Sequence, residues 1–132
     1  MRINHLAVFV CALANLALGA LWYSPAMFYR VWLRENNLTE EQLKQSRFLP
    51  RMVLALLLSL VMSYNLAFFL GGPETTASWG ATAGLLTGLG WAAMIFIVVA
   101  LFELRSVKYI LINGGFIVTY FTLIGFILGV WR

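Results

Sequence analysis

Four polar side chains within apolar stretches are the residues of this sequence best suited to bind or conduct a small solute. Asn4 and Asn15 are eleven residues apart, and Asn113 and Tyr120 are seven apart, so each pair shares one face of a helix. One interpretation is that these groups bond across helices, each bond contributing about 0.6–2 kcal/mol. The other is that they line a polar pocket or path. The spacing alone is compatible with both.

Groups that usually carry catalysis or metal binding are missing from the sequence. No Asp, Glu, Lys or Arg falls in the middle of an apolar stretch, where proton-coupled pumps usually need one. No nucleophile–base pair, metal-ligand spacing or nucleotide-binding loop is present. The single cysteine, Cys11, lies in apolar surroundings, which disfavour a reactive thiolate. We therefore expect no enzymatic activity, no metal and no cofactor.

The elements that must position the polar residues are four long apolar stretches. The chain is 62% hydrophobic and 11% charged, whereas soluble domains carry about 25% charged residues. A membrane-spanning helix needs about 20 mostly apolar residues, and such stretches occur at about 3–23, 52–70, 78–102 and 107–131. The sequence predicts an all-α integral membrane protein, with residues 1–132 forming a single domain of four transmembrane helices in a compact bundle.

The end of the first stretch has the residues of a membrane–water boundary. Trp22 and Tyr23 belong to the types enriched at that boundary. Pro25 cannot continue the helix without a kink but suits the first turn of a new one. The loop 26–49 then combines apolar and basic residues, which predicts a short amphipathic helical segment between helices 1 and 2. Thr39 has the spacing of the N-cap in a capping box.

The basic residues are divided unevenly between the two sides of the predicted bundle. The net charge is +4, and charge between apolar stretches indicates membrane orientation rather than nucleic-acid binding. Only Arg2 and Arg132 lie at the termini, whereas seven basic residues lie in or beside the two other connections: Arg30, Arg34, Lys44, Arg47, Arg51, Arg105 and Lys108. The positive-inside rule predicts a multi-pass protein of the bacterial inner membrane with both termini in the periplasm.

Small residues mark the helix faces that we expect to pack closely in lipid. The third stretch contains Gly80, Gly84 and Gly88 at four-residue spacing, and the fourth contains Gly125 and Gly129. These glycines predict close helix packing. The partner of each face is either another helix of this chain or a second protein.

Three segments resemble a known bacterial membrane protein family, domain of unknown function 1761. They are "INHLAVFV" at 3–10, "LGALWYSPAMFYRVWL" at 18–33 and "KYILINGGFIVTY…LGVW" at 108–131. The resemblance implies a small four-helix membrane protein and no established activity. If the family has a site, the matching positions in this sequence are Asn4, Trp22, Tyr23, Pro25 and Asn113.

Two classes of function follow from these observations. The first is a non-enzymatic protein that acts by assembly, as a homo-oligomer or an accessory subunit of a larger membrane complex, with lipids and that partner as its contacts. The alternative is a channel or carrier for a small neutral or weakly polar solute, with Asn15, Asn113 and Tyr120 facing the path.

Overall fold

The protein is all-helical over residues 2–132, the part of the chain that the computed structural model describes. Its helices are α1 (His5–Trp22), α2 (Tyr29–Glu35), α3 (Glu40–Gln45), α4 (Phe48–Phe69), α5 (Ala77–Thr87), a π-helical segment (Gly88–Ala93), α6 (Met94–Phe102) and α7 (Val107–Val130). The segment Ala77–Phe102 is one continuous span, and together with α1, α4 and α7 it gives four helices long and apolar enough to cross a membrane. The predicted membrane fold with four spans is confirmed.

Side-chain caps explain where several helices begin. Asn4 accepts a hydrogen bond from the amide of Ala7 at the start of α1. Thr39 and Gln42 form the expected capping box at the start of α3, and the Ser106 hydroxyl accepts a single bond from the amide of Tyr109 at the start of α7. Each cap satisfies one or two of the backbone donors that a helix leaves unpaired at its N-terminus.

The second span begins earlier than the sequence indicates. We predict a start near residue 52, whereas α4 begins at Phe48. Pro50 therefore lies inside the first turn, where its missing amide hydrogen costs nothing because that donor has no partner in the helix. Arg51 also belongs to the helix and lies at its exposed end.

The four spans are arranged around α7. On one side α7 packs against α5 and the π-helical segment, and on the other against α1; α4 packs mainly on α1. We call the two ends of the bundle the termini end, where α1 begins and α7 ends, and the loop end, where α2 and α3 lie. Because α4 lies beside α1 rather than closing against α5, one side of the bundle stays open.

Side chains from α1, α4 and α7 form the core. Val8 and Cys11 of α1, Leu66 of α4 and Ile124 of α7 are almost completely buried. Large apolar side chains also cover the outside, and Phe69 is 84% exposed. Such a surface is stable against hydrocarbon but not against water, as expected for a membrane bundle.

The glycine faces of α5 and α7 meet each other within the chain. A Cβ atom at Gly80 would collide with the carbonyl oxygen of Gly125, and one at Gly84 would collide with that of Phe121. A Cβ at Gly129 would lie 2.5 Å from the carbonyl oxygen of Thr76. Only glycine allows two helix backbones to approach so closely, so these residues hold α5 against α7.

Candidate functional site

The boundary motif at the end of α1 is bound to α7. The indole nitrogen of Trp22 donates a hydrogen bond to the carbonyl oxygen of Ile112, 2.9 Å away. Gly115 provides the space for this indole, because a Cβ there would lie 3.1 Å from the Trp22 ring. Trp22 therefore does more than mark the interface, since it links two spans at the loop end.

The next residue makes a second link between the same two helices. The hydroxyl of Tyr23 donates to Oδ1 of Asn113 over 2.5 Å. The Tyr23 ring also packs against Phe116, with ring centroids 5.5 Å apart, and against Trp32 of α2 at 5.7 Å. Asn113 thus has its amide oxygen occupied by a cross-helix bond.

Pro25 lies in the turn that reverses the chain after these two aromatic residues. The carbonyl oxygen of Ser24 accepts bonds from the amides of Met27 at 2.9 Å and Tyr29 at 3.2 Å. The turn brings α2 back against α7. We call the residues Trp22, Tyr23 and Asn113 the loop-end clamp.

Tyr120 occupies a separate place in the middle of the bundle. Its buried hydroxyl donates to the carbonyl oxygen of Cys11 at 3.1 Å and lies 3.4 Å from Oγ of Ser63. Asn15, which is half-buried, lies one turn along α1 from Cys11 and therefore near the level of this hydroxyl. This central cluster joins α1, α4 and α7 in the core.

Asn4 lies at the opposite end of the molecule from Asn113. It caps α1 and lines a cavity at the termini end. Eleven helical residues separate it from Asn15, which corresponds to about 17 Å along the axis. The four polar residues therefore occupy three levels: Asn4 at the termini end, Asn15 with Tyr120 at the centre, and Asn113 in the loop-end clamp.

The open side of the bundle contains a cleft that the sequence did not identify as a site. It has a volume of about 640 Å³ and lies between α4 and α5. We call it the lateral cleft; it is lined by Met62, Asn65, Leu66, Phe68, Phe69, Trp79, Ala83, Leu86, Thr87, Trp91 and Phe121. Asn65, an amide inside an apolar stretch, was the signal available in the sequence.

A second cavity lies at the termini end and has a volume of about 550 Å³. Arg132 is anchored beside it, since its guanidinium donates to the carbonyl oxygens of Leu70 and Gly72, each at 2.6 Å. Neither Asn15 nor Asn113 lines this cavity or the lateral cleft. Among residues 2–132, no group of three or more His, Cys, Asp or Glu side chains is placed to hold a metal ion.

Comparisons with known proteins identify the family of this chain but no activity. No curated protein and no solved structure matches the chain. One family model, described as a protein of unknown function, matches residues 6–129. That match covers all four spans, the loop-end clamp and the glycine faces. This multi-pass chain is therefore a member of the family of proteins of unknown function designated DUF1761.

Proposed function

We propose that this protein has a non-enzymatic role and acts by assembly in the membrane, as a homo-oligomer formed through the lateral cleft. The observation that carries the proposal is the exposed amide of Asn65 within a cleft that faces lipid. Polar groups in hydrocarbon are costly without a partner, and lipid tails offer none. A protein partner supplies one.

Large apolar side chains surround the Asn65 amide in the cleft. Thr87, another polar residue of the lining, already donates its hydroxyl to the carbonyl oxygen of Ala83 at 2.8 Å. Trp79 and Trp91 are exposed on the α5 side, with Trp91 79% exposed. Asn65 lies four residues before Phe69, the last residue of α4, or about 6 Å along the axis. We therefore place the amide within the apolar span, near its end.

A second copy of this chain is the simplest partner that can form hydrogen bonds with the Asn65 amide. A carboxamide is both donor and acceptor, so two copies related by a twofold axis can pair Asn65 with Asn65. The glycine faces are not free for this purpose, because α5 and α7 already use them against each other. The open α4–α5 side is thus the surface that supports self-association. An accessory-subunit role would use the same surface with a different partner.

The test is the dimerisation equilibrium of the full chain in lipid bilayers, measured by single-molecule photobleaching over a range of protein-to-lipid ratios. Asn65→Leu should weaken association roughly three- to thirtyfold, the range corresponding to about 0.6–2 kcal/mol. Thr119→Leu is the matched control, because Thr119 is exposed on α7 and lines a shallow groove away from the cleft. Equal association of wild type and Asn65→Leu would contradict the proposal.

A cross-linking experiment gives independent support. In a Cys11→Ala background, Asn65→Cys should form a disulfide-linked dimer under mild oxidation, whereas Thr119→Cys should not. Cys11 itself is completely buried. A chain that stays monomeric but co-purifies with one defined membrane protein would replace the homo-oligomer with the accessory-subunit form.

A carrier or channel for a small neutral solute is the second candidate. The observation that favours it is the central cluster, where Tyr120 and Ser63 bring polar atoms together in the middle of the bundle. A liposome flux assay compares wild type with Asn113→Leu. Equal flux through the two would count against a path that includes Asn113.

We also propose that the protein resides in a bacterial inner membrane with both termini in the periplasm. The seven basic residues of the two loop-end connections support this orientation, against Arg2 and Arg132 at the other end. A reporter fused after Arg132 should read as periplasmic, and loop 26–49 should resist protease added to intact cells. A cytoplasmic reporter together with cleavage of loop 26–49 would show that the protein has the opposite orientation.

A further inference from the structure

The cavity at the termini end combines a polar wall with an apolar one. The polar side is formed by Arg2, Asn4 and Arg132. The apolar side is formed by residues that include Ile3 and Leu128. A cavity with these two walls fits an amphiphilic ligand. The positive charges can bind an anionic headgroup, and the apolar side chains can contact the hydrocarbon part of the same molecule.

The side chains that line this cavity carry positive charge and no negative charge. Among residues 2–132 the lining contains Arg2 and Arg132 but no Asp or Glu, and Glu74, the one acidic residue on the adjoining turn 71–76, lies beside Gly72 outside the lining. Arg132 uses its guanidinium donors on the carbonyl oxygens of Leu70, Gly72 and Leu128. Those neutral acceptors hold the side chain in place but leave its charge in the cavity. An anion is the complementary ligand.

The depth of the cavity corresponds to the headgroup layer. Arg2 lies three residues before α1 begins at His5, and Arg132 lies two residues beyond the end of α7 at Val130. Each interfacial layer of a bilayer is about 5–7 Å thick. Both residues therefore lie just beyond the ends of the apolar spans, at the level of the phospholipid phosphates.

We propose that the termini-end cavity binds a phosphate group between Arg2 and Arg132, with a phospholipid of the adjacent leaflet as its natural source. Arginine forms charge-assisted hydrogen bonds with phosphate. Arg132 has two of its five N–H donors left for this contact, because three bind backbone carbonyl oxygens. The glycerol region of the lipid then contacts Ile3 and Leu128. The amide of Arg2 donates to the carbonyl oxygen of Gly71 at 3.4 Å, which places the start of the chain beside the turn 71–76. The site is independent of the lateral cleft and of the proposed assembly.

The test is the thermal unfolding midpoint of the full chain in an uncharged detergent, followed by tryptophan fluorescence during titration with three probes. Phosphatidylglycerol carries the phosphate and the acyl chains, diacylglycerol carries the chains alone, and inorganic phosphate carries the anion alone. A ligand that binds the folded state raises the midpoint by mass action, which gives an apparent Kd. We expect phosphatidylglycerol to raise the midpoint and diacylglycerol to leave it unchanged.

Arg2→Gln is the diagnostic variant because Arg2 is exposed and the turn depends on Arg132 instead. It should weaken phosphatidylglycerol binding roughly five- to tenfold, as expected for loss of one basic side chain near a phosphate layer. Arg2→Lys should restore most of the binding. Lys108→Gln removes the same charge at the loop end and should change the Kd less than about twofold.

Three outcomes decide the proposal. Inorganic phosphate that raises the midpoint as strongly as phosphatidylglycerol, at constant ionic strength, supports the anion site and assigns it to free phosphate. Equal effects of diacylglycerol and phosphatidylglycerol would overturn it. Equal weakening by Arg2→Gln and Lys108→Gln would also overturn it, because the effect would then reflect net charge alone.

Discussion

The two sides of α5 show opposite ways in which a helix can meet its surroundings in a membrane. On one side, Gly80 and Gly84 lie against the backbone of α7 without room for a side chain. On the other side, Trp79 and Leu86 line the lateral cleft beside Asn65. The first side is closed by backbone contact within the chain. The second is open and faces the exposed Asn65 of α4 across the lateral cleft.

Under the assembly that we propose, the small-residue motif and the oligomer surface are different faces of the protein. Glycines at four-residue spacing are often taken as the face that binds another chain. Here that face is buried in the intramolecular contact between α5 and α7. The surface through which we propose association is instead the lateral cleft, with its bulky side chains and the Asn65 amide. Substitutions on the two sides should therefore have different consequences.

The largest effect is expected on the closed side of α5. Gly84→Ala places a methyl group against the carbonyl oxygen of Phe121, which cannot rotate away, so we expect destabilisation of about 3 kcal/mol or failure to fold. Gly90→Ala is the matched control, because a Cβ at Gly90 meets nothing within 4 Å. Unfolding midpoints in detergent provide the measurement. Similar stability of both variants would show that the backbone contact at Gly84 does not limit the packing of α5 against α7.

A smaller effect is expected in the central cluster behind the glycine contact. Tyr120→Phe removes the bond to the carbonyl oxygen of Cys11 and leaves Ser63 with one partner fewer, which should cost about 1–2 kcal/mol. Tyr64→Phe is the control, because its hydroxyl pairs with the exposed His5. The same unfolding assay compares the two, and an equal loss in both would contradict a special role for the buried hydroxyl.

The next largest effect on stability is expected in the loop-end clamp, where a hydrogen bond rather than close backbone contact joins two helices. A double-mutant cycle of Tyr23→Phe and Asn113→Leu should give a coupling of about 0.6–1.7 kcal/mol, the range found for bonds between membrane helices. Additive effects of the two substitutions would show that the bond between Tyr23 and Asn113 does not stabilise the fold in lipid.

The smallest effect on folding is expected in the lateral cleft. Leu86→Ala removes a side chain that is 58% exposed, and lipid fills the space, so the monomer should lose less than about 0.5 kcal/mol. Its association constant in bilayers should fall more than its stability does, because the side chain faces the proposed partner. A large loss of monomer stability would mean that the cleft is closed in the membrane.

Much of the fold can be predicted from residue types because the membrane constrains the chain so strongly. The four spans follow from length and hydropathy, and the Thr39 capping box follows from spacing. The start of α4 is less predictable, since Pro50 is compatible with either the loop or the first turn. The candidate polar residues were recognisable as unusual in apolar stretches. Their separation into three levels was not, because it depends on which helices are neighbours.

The sequence by itself determined that lipid is the solvent of this chain, how many times it crosses, and which residues are too polar for hydrocarbon without a partner. Those properties depend on composition and on local periodicity. Only the tertiary structure decided that the glycines face each other across α5 and α7, that Asn113 is bound by Tyr23, and that Asn65 remains exposed. The physical reason is that a helix face has the same pattern whichever neighbour covers it. The choice of neighbour depends on the packing of all four spans together.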